Sequence, residues 1–600
     1  MKRIAVLLRN ILRTLLDLLA AILGIYYTTK YAALARRLGL PRLTPAGRRG
    51  FIVIQVDGLS CDHLRTAMAR GYAPHLSRLL RRGEFSLQPW RVGLPSNTPA
   101  AQAGIMFGEN ADIPAFRWYE KRSGQTMVCS LPGVVHAIQE RLSHSARGIL
   151  RGGSSYMNLF DGDASLALFT LSAWNRQRFF ERVRGLGFLL LFLLNPFRTV
   201  KTFVLAVWEY LTDLAQRSWA TWRKRTPRPF GRAFPFMRVV SNVILREIQT
   251  FAVLLDIYRG VPAIYTTYYG YDEVAHQYGD LSKPALRALR AIDARIRQID
   301  TFRRLMLTRA YDLLILSDHG MTSARPFRTL FGESLGDLLR GLAGESIALY
   351  EGLGATYHEV LQAVYVQGEL EAIAGNLRPP LDRIPRRLKA FIGRRAVLGE
   401  EPPPDMARAT DLVVRNSGPL SHVYFNLREG PMDLNELLIY YPSLVTGLLA
   451  HPGIGWVAAR QDGQVVIMSG RGIRILSSGG DPLGGVVEGE DPLASLEDPR
   501  WAARQIARVA GFANAGDLIL MGHYDPEKKS IVCFEEQWAC HGGLGGPQDQ
   551  AFLMAPADLG WDVTGVEQAT DIYPLFMGRY GEGVPIPALE EVSAPCSNPS

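Results

Sequence analysis

The chain has 600 residues, of which 47% are hydrophobic and 21% are charged, and its mean hydropathy is +0.01. This composition excludes a disordered chain, and the length predicts one large domain with insertions or two domains plus appendages. The five cysteines have no CxxC spacing and indicate neither a zinc knuckle nor a disulfide scaffold. The net charge of +10 favours an anionic partner, but the basic residues cluster beside apolar segments and no motif predicts nucleic-acid binding.

Residues 1–45 form the first distinct segment. They are helical in pattern and apolar from Ile4 to Tyr27, but three charged side chains interrupt the run. Because such charges are costly in a spanning helix and no small-residue cleavage site follows, we expect an uncleaved anchor or an interfacial amphipathic helix. The alternative is a helix packed on the body of the protein.

Short apolar runs rich in β-branched residues predict the buried strands of one sheet. They lie at residues 51–56, 261–268, 311–316 and 551–555. Helical stretches such as Lys283–Met306 lie between them. The alternation predicts an α/β fold with a mostly parallel sheet and helices on both faces. In such sheets ligands bind at the carboxyl ends of the strands, where Asp57, Asp272 and Asp318 would emerge.

Thr98 places a hydroxyl at the start of a predicted helix. It follows a Pro-Ser-Asn turn and precedes a run of small apolar residues. By default such a hydroxyl is only a helix cap. In a functional interpretation the helix start offers a phosphate its positive dipole end, and a metal that lowers the hydroxyl pKa makes Thr98 a nucleophile.

A second apolar region covers residues 185–211, inside a predicted helical insertion at 166–258. Asn195-Pro196 and two basic residues interrupt it, so the longest apolar run is too short to span a bilayer. Nearby tryptophans and basic residues favour a helical hairpin in the membrane interface. A buried insertion that shields the site fits the pattern equally well.

Two short motifs and one histidine supply candidate metal ligands. Asp272 and His276 stand four residues apart, so on the first turn of a helix they share one face. Asp318 and His319 directly follow the strand at 311–316, where adjacent loop residues can face one ion. His541 precedes glycines that allow close backbone approach to an ion or phosphate. Each of these signals is weak alone.

The pattern changes between residues 341 and 530. A helix at 357–374, a Pro- and Arg-rich linker at 379–404 and several strand-like pieces predict an inserted cap subdomain. The expected layout is a membrane-associated helix or anchor at 1–45, a catalytic core in three parts at 50–165, 259–340 and 531–600, the helical insertion at 166–258 and the cap at 341–530.

In order and content, five motifs resemble the alkaline phosphatase superfamily. They are Asp57-Gly58, Thr98-Pro99, the D-x-x-x-H of 272–276, the D-H-G of 318–320 and the H-G-G of 541–543. The best match within it is the nucleotide pyrophosphatase/phosphodiesterase branch. The resemblance covers parts of residues 51–120, 260–325 and 535–560, and five motifs in one order are a strong signal because chance matches multiply to something rare.

The resemblance implies an alkaline phosphatase-like core and a metal-dependent hydrolase of phosphate esters, above all a phosphodiesterase or nucleotide pyrophosphatase. It implies two divalent ions about 4 Å apart, zinc or alternatively manganese. Asp57, Thr98, Asp318 and His319 would surround one ion, and Asp272, His276 and His541 would hold the other. Thr98 would attack phosphorus to give a phospho-threonine intermediate, which water then hydrolyses.

The sequence departs from the branch at one position. The branch carries an asparagine after the nucleophile helix that donates a hydrogen bond to a phosphoryl oxygen, and Phe116 stands where that asparagine is expected. Asn97, Asn110 and Arg117 are candidates to replace it, and Asn97 is the one predicted to bind substrate. The preference for diesters over monoesters therefore depends on contacts that the motifs do not specify.

Several alternatives stay open. A membrane-associated phosphotransferase or phosphomonoesterase of the same superfamily shares the threonine and the metals. A non-catalytic membrane-associated binding protein should have lost a ligand or the nucleophile, yet all seven positions are filled. A sulfatase is disfavoured because TPAAQ lacks the required Pro-x-Arg. The expected partners are a phosphate-ester substrate and a membrane surface, on a side that the sequence does not specify.

Overall fold

A computed structural model describes residues 48–111, 113–173, 245–306, 308–352, 409–477 and 485–581, with scattered single positions elsewhere. The expected N-terminal anchor at 1–45 and the interfacial hairpin at 185–211 lie outside these ranges, as does the helix at 357–374. Within 185–211 the single described positions include Val204, Val207 and Leu211, whose side chains are exposed. Among the described helices, none combines the length and the apolar character that crossing a bilayer requires.

The described part of residues 48–316 alternates between strands and helices. In chain order the elements are β1 (Gly50–Val56), α1 (Cys61–Ala69), α2 (Pro74–Arg81), β2 (Phe85–Arg91), α3 (Thr98–Phe107), β3 (Arg117–Glu120), β4 (Gln125–Val128), α4 (Pro132–Ser145), β5 (Ser154–Tyr156), β6 (Leu166–Leu168), a 3-10 turn (Leu171–Ala173), α5 (Arg246–Arg259), β7 (Ala263–Tyr268), α6 (Gly270–Tyr278), α7 (Lys283–Leu305) and β8 (Tyr311–Leu316).

The later residues add mainly strands. These elements are β9 (Thr322–Pro326), α8 (Phe327–Phe331), α9 (Leu335–Ala343), β10 (Leu349–Glu351), β11 (Leu412–Ser417), β12 (Leu420–Phe425), α10 (Leu434–Tyr440), α11 (Leu444–Ala450), β13 (Ile454–Gln461), β14 (Gln464–Ser469), β15 (Gly472–Ser477), β16 (Val486–Gly489), α12 (Pro499–Ala510), β17 (Leu518–Gly522), β18 (Tyr524–Asp525), β19 (Ser530–Cys533), β20 (Ala539–Cys540), β21 (Gln550–Pro556) and α13 (Tyr573–Tyr580). Short 3-10 turns lie at Gly546–Asp549, Ala557–Leu559 and Ala569–Ile572.

Seven strands form the central sheet in the order β2-β21-β8-β1-β7-β5-β6. Strand β1 is parallel to both β7 and β8, and β5 is parallel to β6 and β7, whereas β21 runs antiparallel to β2 and β8. Alternate residues of β1 point to the two opposite faces of the sheet. Ile52 belongs to the core formed with helices α1, α2 and α5–α7, and Val53 belongs to the core formed with α3, α4 and α13. The predicted α/β fold with a mostly parallel sheet and helices on both faces is confirmed.

A second sheet of eight strands has the order β10-β11-β12-β17-β13-β14-β15-β16 and is largely antiparallel. Helix α12 packs on one of its faces, and α8–α11 pack on the other. All its strands fall within residues 341–530, where the sequence predicts a cap. Two smaller sheets, β18-β19-β9-β20 and β3-β4, complete the described fold.

The strand directions gather the candidate residues at one edge of the central sheet. Strands β1, β7 and β8 run in register and end together, with Val56 opposite Tyr268 and Gln55 opposite Leu316. The loops after them carry Asp57, Asp272 and Asp318. Strand β21 runs antiparallel to β8, so its first residues lie at this same edge. The segment that precedes β21 contains His541 and therefore meets the other loops there.

Candidate metal centre

Thr98 is the first residue of α3, but it does not cap that helix. The cap is Asn97, whose side chain accepts a hydrogen bond from the backbone of Ala100. Thr98 is only 4% exposed, and its hydroxyl instead lies 3.1 Å from Nε2 of His319 and 3.5 Å from Oδ1 of Asp57. The default explanation of this threonine as a cap is therefore wrong, since its hydroxyl faces the candidate ligands.

One group of candidate ligands consists of Asp57, Asp318 and His319. Their donor atoms all lie within 4.8 Å of one another. Nε2 of His319 is 3.4 Å from Oδ1 of Asp57 and 3.5 Å from Oδ2 of Asp318. All three side chains are buried, so the carboxylates are shielded from water.

The second group surrounds Asp272. Asp272 and His276 share one face of α6, and Nε2 of His276 lies 3.3 Å from Oδ2 of Asp272. Nε2 of His541 is 3.8 Å from Oδ1 of the same carboxylate. The imidazoles of His541 and His319 stack with their centroids 3.7 Å apart, so the two groups are contiguous. Donor atoms of Asp272, His319 and His541 also lie within 4.8 Å of one another.

Each of the three histidines has its Nδ1 next to a backbone carbonyl. Nδ1 of His276 lies 2.8 Å from the Ala539 carbonyl, that of His319 lies 2.9 Å from Gly320 and that of His541 lies 3.2 Å from Ser96. A carbonyl can only accept, so Nδ1 must carry the hydrogen, and in the neutral imidazole Nε2 is the nitrogen with the free lone pair. This is the tautomer in which histidine binds a metal through Nε2.

The carboxylates of Asp57, Asp272 and Asp318 are buried side chains that could hold a cation. Burial, together with the charges of Asp318 and Asp272, raises the pKa of Asp57 well above its usual value, and burial likewise raises the pKa of Asp318. Both oxygens of Asp318 and Oδ2 of Asp57 are buried without a hydrogen-bond donor among the described residues. Unpaired carboxylate oxygens beside imidazole lone pairs fit divalent metal ions.

Glycines allow the loops to approach the centre closely. A Cβ on Gly58, which has a φ of 69°, would lie 2.4 Å from Oδ1 of Asp272. A Cβ on Gly418, at the turn between β11 and β12, would lie 2.2 Å from the carbonyl oxygen of His541. Larger residues at either position would displace a candidate ligand.

A pocket opens beside Thr98 and includes residues that the motifs did not identify. Its walls are Asn97, Thr98, Phe116, Arg117, Asp272, His276, Ser417, Gly418, Glu535, Gln537, His541 and Gly542. Nη1 of Arg117 pairs with Glu535 at 2.5 Å and donates to the carbonyl of Asn416 at 3.1 Å. Sequence analysis missed Glu535 because no spacing links it to Arg117.

Asn97 and Asn110 differ in where their amides point. Asn97 lines the pocket and is 1% exposed. Asn110 is outside the pocket wall: its Nδ2 donates to the carbonyl of Ala100, and its Oδ1 accepts a hydrogen bond from Arg508. Of the two asparagines considered as replacements at the Phe116 position, Asn110 is therefore committed to structural contacts.

Part of the chain matches a known protein family. Residues 196–376 match the family model described as type I phosphodiesterase / nucleotide pyrophosphatase. The matched range contains four of the candidate ligands, Asp272, His276, Asp318 and His319, and the resemblance found in the sequence is thereby confirmed. Thr98 and His541 lie outside it. No curated protein sequence matches the chain.

Solved structures of two kinds are similar to this chain. Phosphonoacetate hydrolase from Sinorhizobium meliloti 1021, in complex with phosphonoacetate, is 13% identical with a TM-score of 0.42, and the match covers 90% of this chain and 97% of that chain. Murine ectonucleotide pyrophosphatase/phosphodiesterase 5 is 11% identical with a TM-score of 0.40, and that match covers 88% of this chain and 94% of the murine chain.

Proposed function

We propose that this protein is a metal-dependent hydrolase of phosphate esters that acts as a phosphodiesterase or nucleotide pyrophosphatase, with Thr98 as its nucleophile. The observation that carries the proposal is the position of the Thr98 hydroxyl, which is free of the capping role and contacts His319 and Asp57. The family match over residues 196–376 supports the same class of reaction.

Two divalent cations complete the proposed site. Asp57, Thr98, Asp318 and His319 would hold one of them, and Asp272, His276 and His541 would hold the other. Imidazole and carboxylate donors favour zinc, with manganese as the alternative. When bound, such cations neutralise phosphoryl oxygens and lower the pKa of a nearby hydroxyl.

The side chains of the protein have their own roles in the proposed reaction. The Thr98 hydroxyl lies 3.1 Å from Nε2 of His319 and 3.5 Å from Oδ1 of Asp57, so buried acceptors are in place to receive its proton as the oxygen attacks phosphorus. The attack forms the bond from Thr98 Oγ1 to phosphorus and breaks the bond from phosphorus to the leaving oxygen, and the leaving alcohol or phosphate takes up a proton from solvent as it departs. Water then hydrolyses the phospho-threonine and restores the hydroxyl.

The first prediction tests the nucleophile. With zinc or manganese, the purified chain should hydrolyse bis-p-nitrophenyl phosphate or a nucleotide diester. Thr98→Ala should lower kcat by at least about 10³-fold because no nucleophile remains, whereas Thr98→Ser keeps a hydroxyl and should retain measurable turnover. Steady-state kinetics, with circular dichroism to check folding, provide the measurement.

The other possible results of these assays would each favour one of the alternative functions. Faster turnover of p-nitrophenyl phosphate than of the diester would favour a phosphomonoesterase, and transfer of the phosphoryl group to an added alcohol would favour a phosphotransferase. No metal-dependent turnover on a broad phosphoester panel would favour the binding protein. Unchanged turnover by folded Thr98→Ala would rule out Thr98 as the nucleophile.

A further inference from the structure

We propose that the amide of Asn97 is a catalytic hydrogen-bond donor, with Nδ2 donating to a non-bridging oxygen of the bound phosphoryl group. The inference rests on the proposed function and deepens it, because it names the residue that takes the place of the asparagine missing at Phe116. The supporting observation is that the oxygen and the nitrogen of the buried Asn97 side-chain amide have different environments.

The oxygen end of this amide is committed to helix α3. Oδ1 accepts a hydrogen bond from the backbone of Ala100 at 3.0 Å, and Asn97 has the extended backbone of a helix cap. An amide nitrogen in that position would face another donor, so the capping contact fixes which end is oxygen. The backbone of Asn97 is also held, since its N–H donates to Pro95 and its carbonyl accepts from Ala101.

The nitrogen end has no acceptor among the described residues. Nδ2 is buried, and the whole residue is 1% exposed. Asn97 also lines the pocket that contains Thr98 and His541. A buried donor without an acceptor is unfavourable in the free protein. An acceptor brought into the pocket by a ligand would relieve this, and the ligand of the proposed reaction is a phosphate ester.

A phosphoryl oxygen fits the donor for two reasons. Asn97 is adjacent in sequence to Thr98, so its amide and the attacking oxygen stand on the same helix start. The positive end of the α3 dipole also favours an anion there. A fixed donor to a phosphoryl oxygen meets the negative charge on that oxygen during the reaction, and it stabilises the transition state more than the ground state. The asparagine thus orients the phosphoryl group toward Thr98 while it caps the helix.

Three substitutions separate capping from donation. Asn97→Ser keeps a good cap but replaces the amide donor with a shorter hydroxyl that cannot reach as far. Asn97→Asp keeps the shape and cap but replaces the donor with a negative charge, and Asn97→Ala loses both. The matched control is Ser282→Ala, which removes the cap of α7, where the Ser282 hydroxyl accepts from Ala285 at 3.3 Å. Ser282→Ala should lower stability without lowering kcat.

The expected result is a fall in kcat of about 100-fold for Asn97→Ser, with a larger fall for Asn97→Asp. The urea midpoint of Asn97→Ser should stay close to that of the wild type. Calorimetry of the zinc-loaded proteins with inorganic phosphate supplies a second measurement, in which Asn97→Ser should bind about tenfold more weakly than the wild type.

Wild-type kcat and wild-type phosphate affinity in a stable Asn97→Ser variant would overturn the proposal and leave Asn97 as a cap only. The failure of the proposed function looks different: the wild type would show no metal-dependent turnover. In that case a drop in phosphate affinity for Asn97→Ser would still support the donor, and equal affinities would overturn it.

Discussion

At the scale of single residues, the three candidate-ligand histidines and the buried His422 have opposite hydrogen-bonding arrangements. His276, His319 and His541 donate through Nδ1 and direct Nε2 toward carboxylates. In His422 the arrangement is reversed, because Nδ1 accepts from the backbone of Gly516 at 2.9 Å while Nε2 lies 3.2 Å from the carbonyl of Pro114. His422 is therefore neutral and fully engaged in structural contacts.

The pH dependence of stability should report on His422. Burial lowers its pKa to about 4. The unfolded chain then binds more protons than the folded chain between that pKa and about 6.5, so the stabilisation is complete above pH 6.5 and is lost as pH falls. We expect the free energy of unfolding to drop by about 2 kcal/mol through this group between pH 7.5 and pH 5.

Urea unfolding of the wild type and of His422→Gln at the two pH values measures this contribution. Glutamine does not titrate, so the decrease should be smaller in the variant by about the stated amount. If both proteins lose the same free energy of unfolding between the two pH values, the neutral state assigned to His422 is wrong.

The sequence predicted some residues of the site because they occur in recognisable spacings. Asp272 and His276 are four apart on a helix, and Asp318 and His319 are adjacent, so their proximity needs little tertiary information. Arg117 and Glu535 are separated by 418 positions, and their ion pair depends on how two sheets meet. The capping role of Asn97 also escaped prediction, since Asn97 and Thr98 are both good caps by type.

At the scale of elements, helix α3 is tied to the central sheet by a buried polar network. Nε2 of Gln102, one turn after Thr98, lies 3.2 Å from both Oε1 of Gln55 and Oγ1 of Thr267. Oε1 of Gln102 accepts from the backbone of Leu159 at 2.9 Å. Gln55 precedes Asp57 by two residues on β1. The network therefore sets the position of α3, which carries the proposed nucleophile, against the strand that leads to Asp57.

Gln102→Leu should lower kcat by about 100-fold with little change in KM, because a small displacement of α3 moves Thr98 from its attacking position. The matched control is Gln139→Leu on α4. Gln139 is also a buried helical glutamine, and it pairs with Asp161 through Nε2 at 2.6 Å and Oε1 at 2.7 Å, with no partner from the proposed site.

Steady-state kinetics and urea unfolding of both variants separate positioning from stability. Each should lose about 1–3 kcal/mol of unfolding free energy, because each leaves buried polar partners unsatisfied. Only Gln102→Leu should lower kcat. Equal kcat values in the two variants would show that the α3 network does not position Thr98.

The sequence predicted the positions of the central strands along the chain more accurately than it predicted their directions in the sheet. The run at 311–316 coincides with β8, and the run at 261–268 contains β7, which begins after Pro262, a residue without a backbone donor. The run at 551–555 is also a strand, β21. Its reversed direction was not predictable, because the same apolar pattern suits either direction.

At the scale of the whole molecule, the proposed site lies where the two large sheets meet. The central sheet supplies the loops with Asp57, Asp272 and Asp318, and the turn at Gly418 from the second sheet packs against His541. Side chains from the β3-β4 hairpin also reach across, with Lys121 paired to Asp517 at 3.1 Å. The order of strands in the second sheet depends on pairings between segments far apart in sequence, such as β12 with β17, and for this reason the sequence predicted only an inserted subdomain.

Because the candidate ligands come from segments spread over nearly the whole described chain, metal binding should stabilise the fold as well as create the site. Without cations, the buried carboxylates of Asp57, Asp272 and Asp318 repel one another. A cation at 100 times its dissociation constant adds about 2.7 kcal/mol to the free energy of unfolding. Removing the metal should therefore lower the unfolding midpoint.

Calorimetric titration of zinc into the chelator-stripped protein tests the central claim most directly, with Asp318→Asn as the comparison and thermal unfolding recorded on the same samples. The account predicts that the wild-type chain binds two zinc ions and that its unfolding midpoint rises on binding. Asp318→Asn should bind zinc more weakly, although its metal-free form should be at least as stable as the metal-free wild type. A wild-type chain that binds no zinc or manganese, or an Asp318→Asn variant that binds both ions as tightly as the wild type, would contradict it.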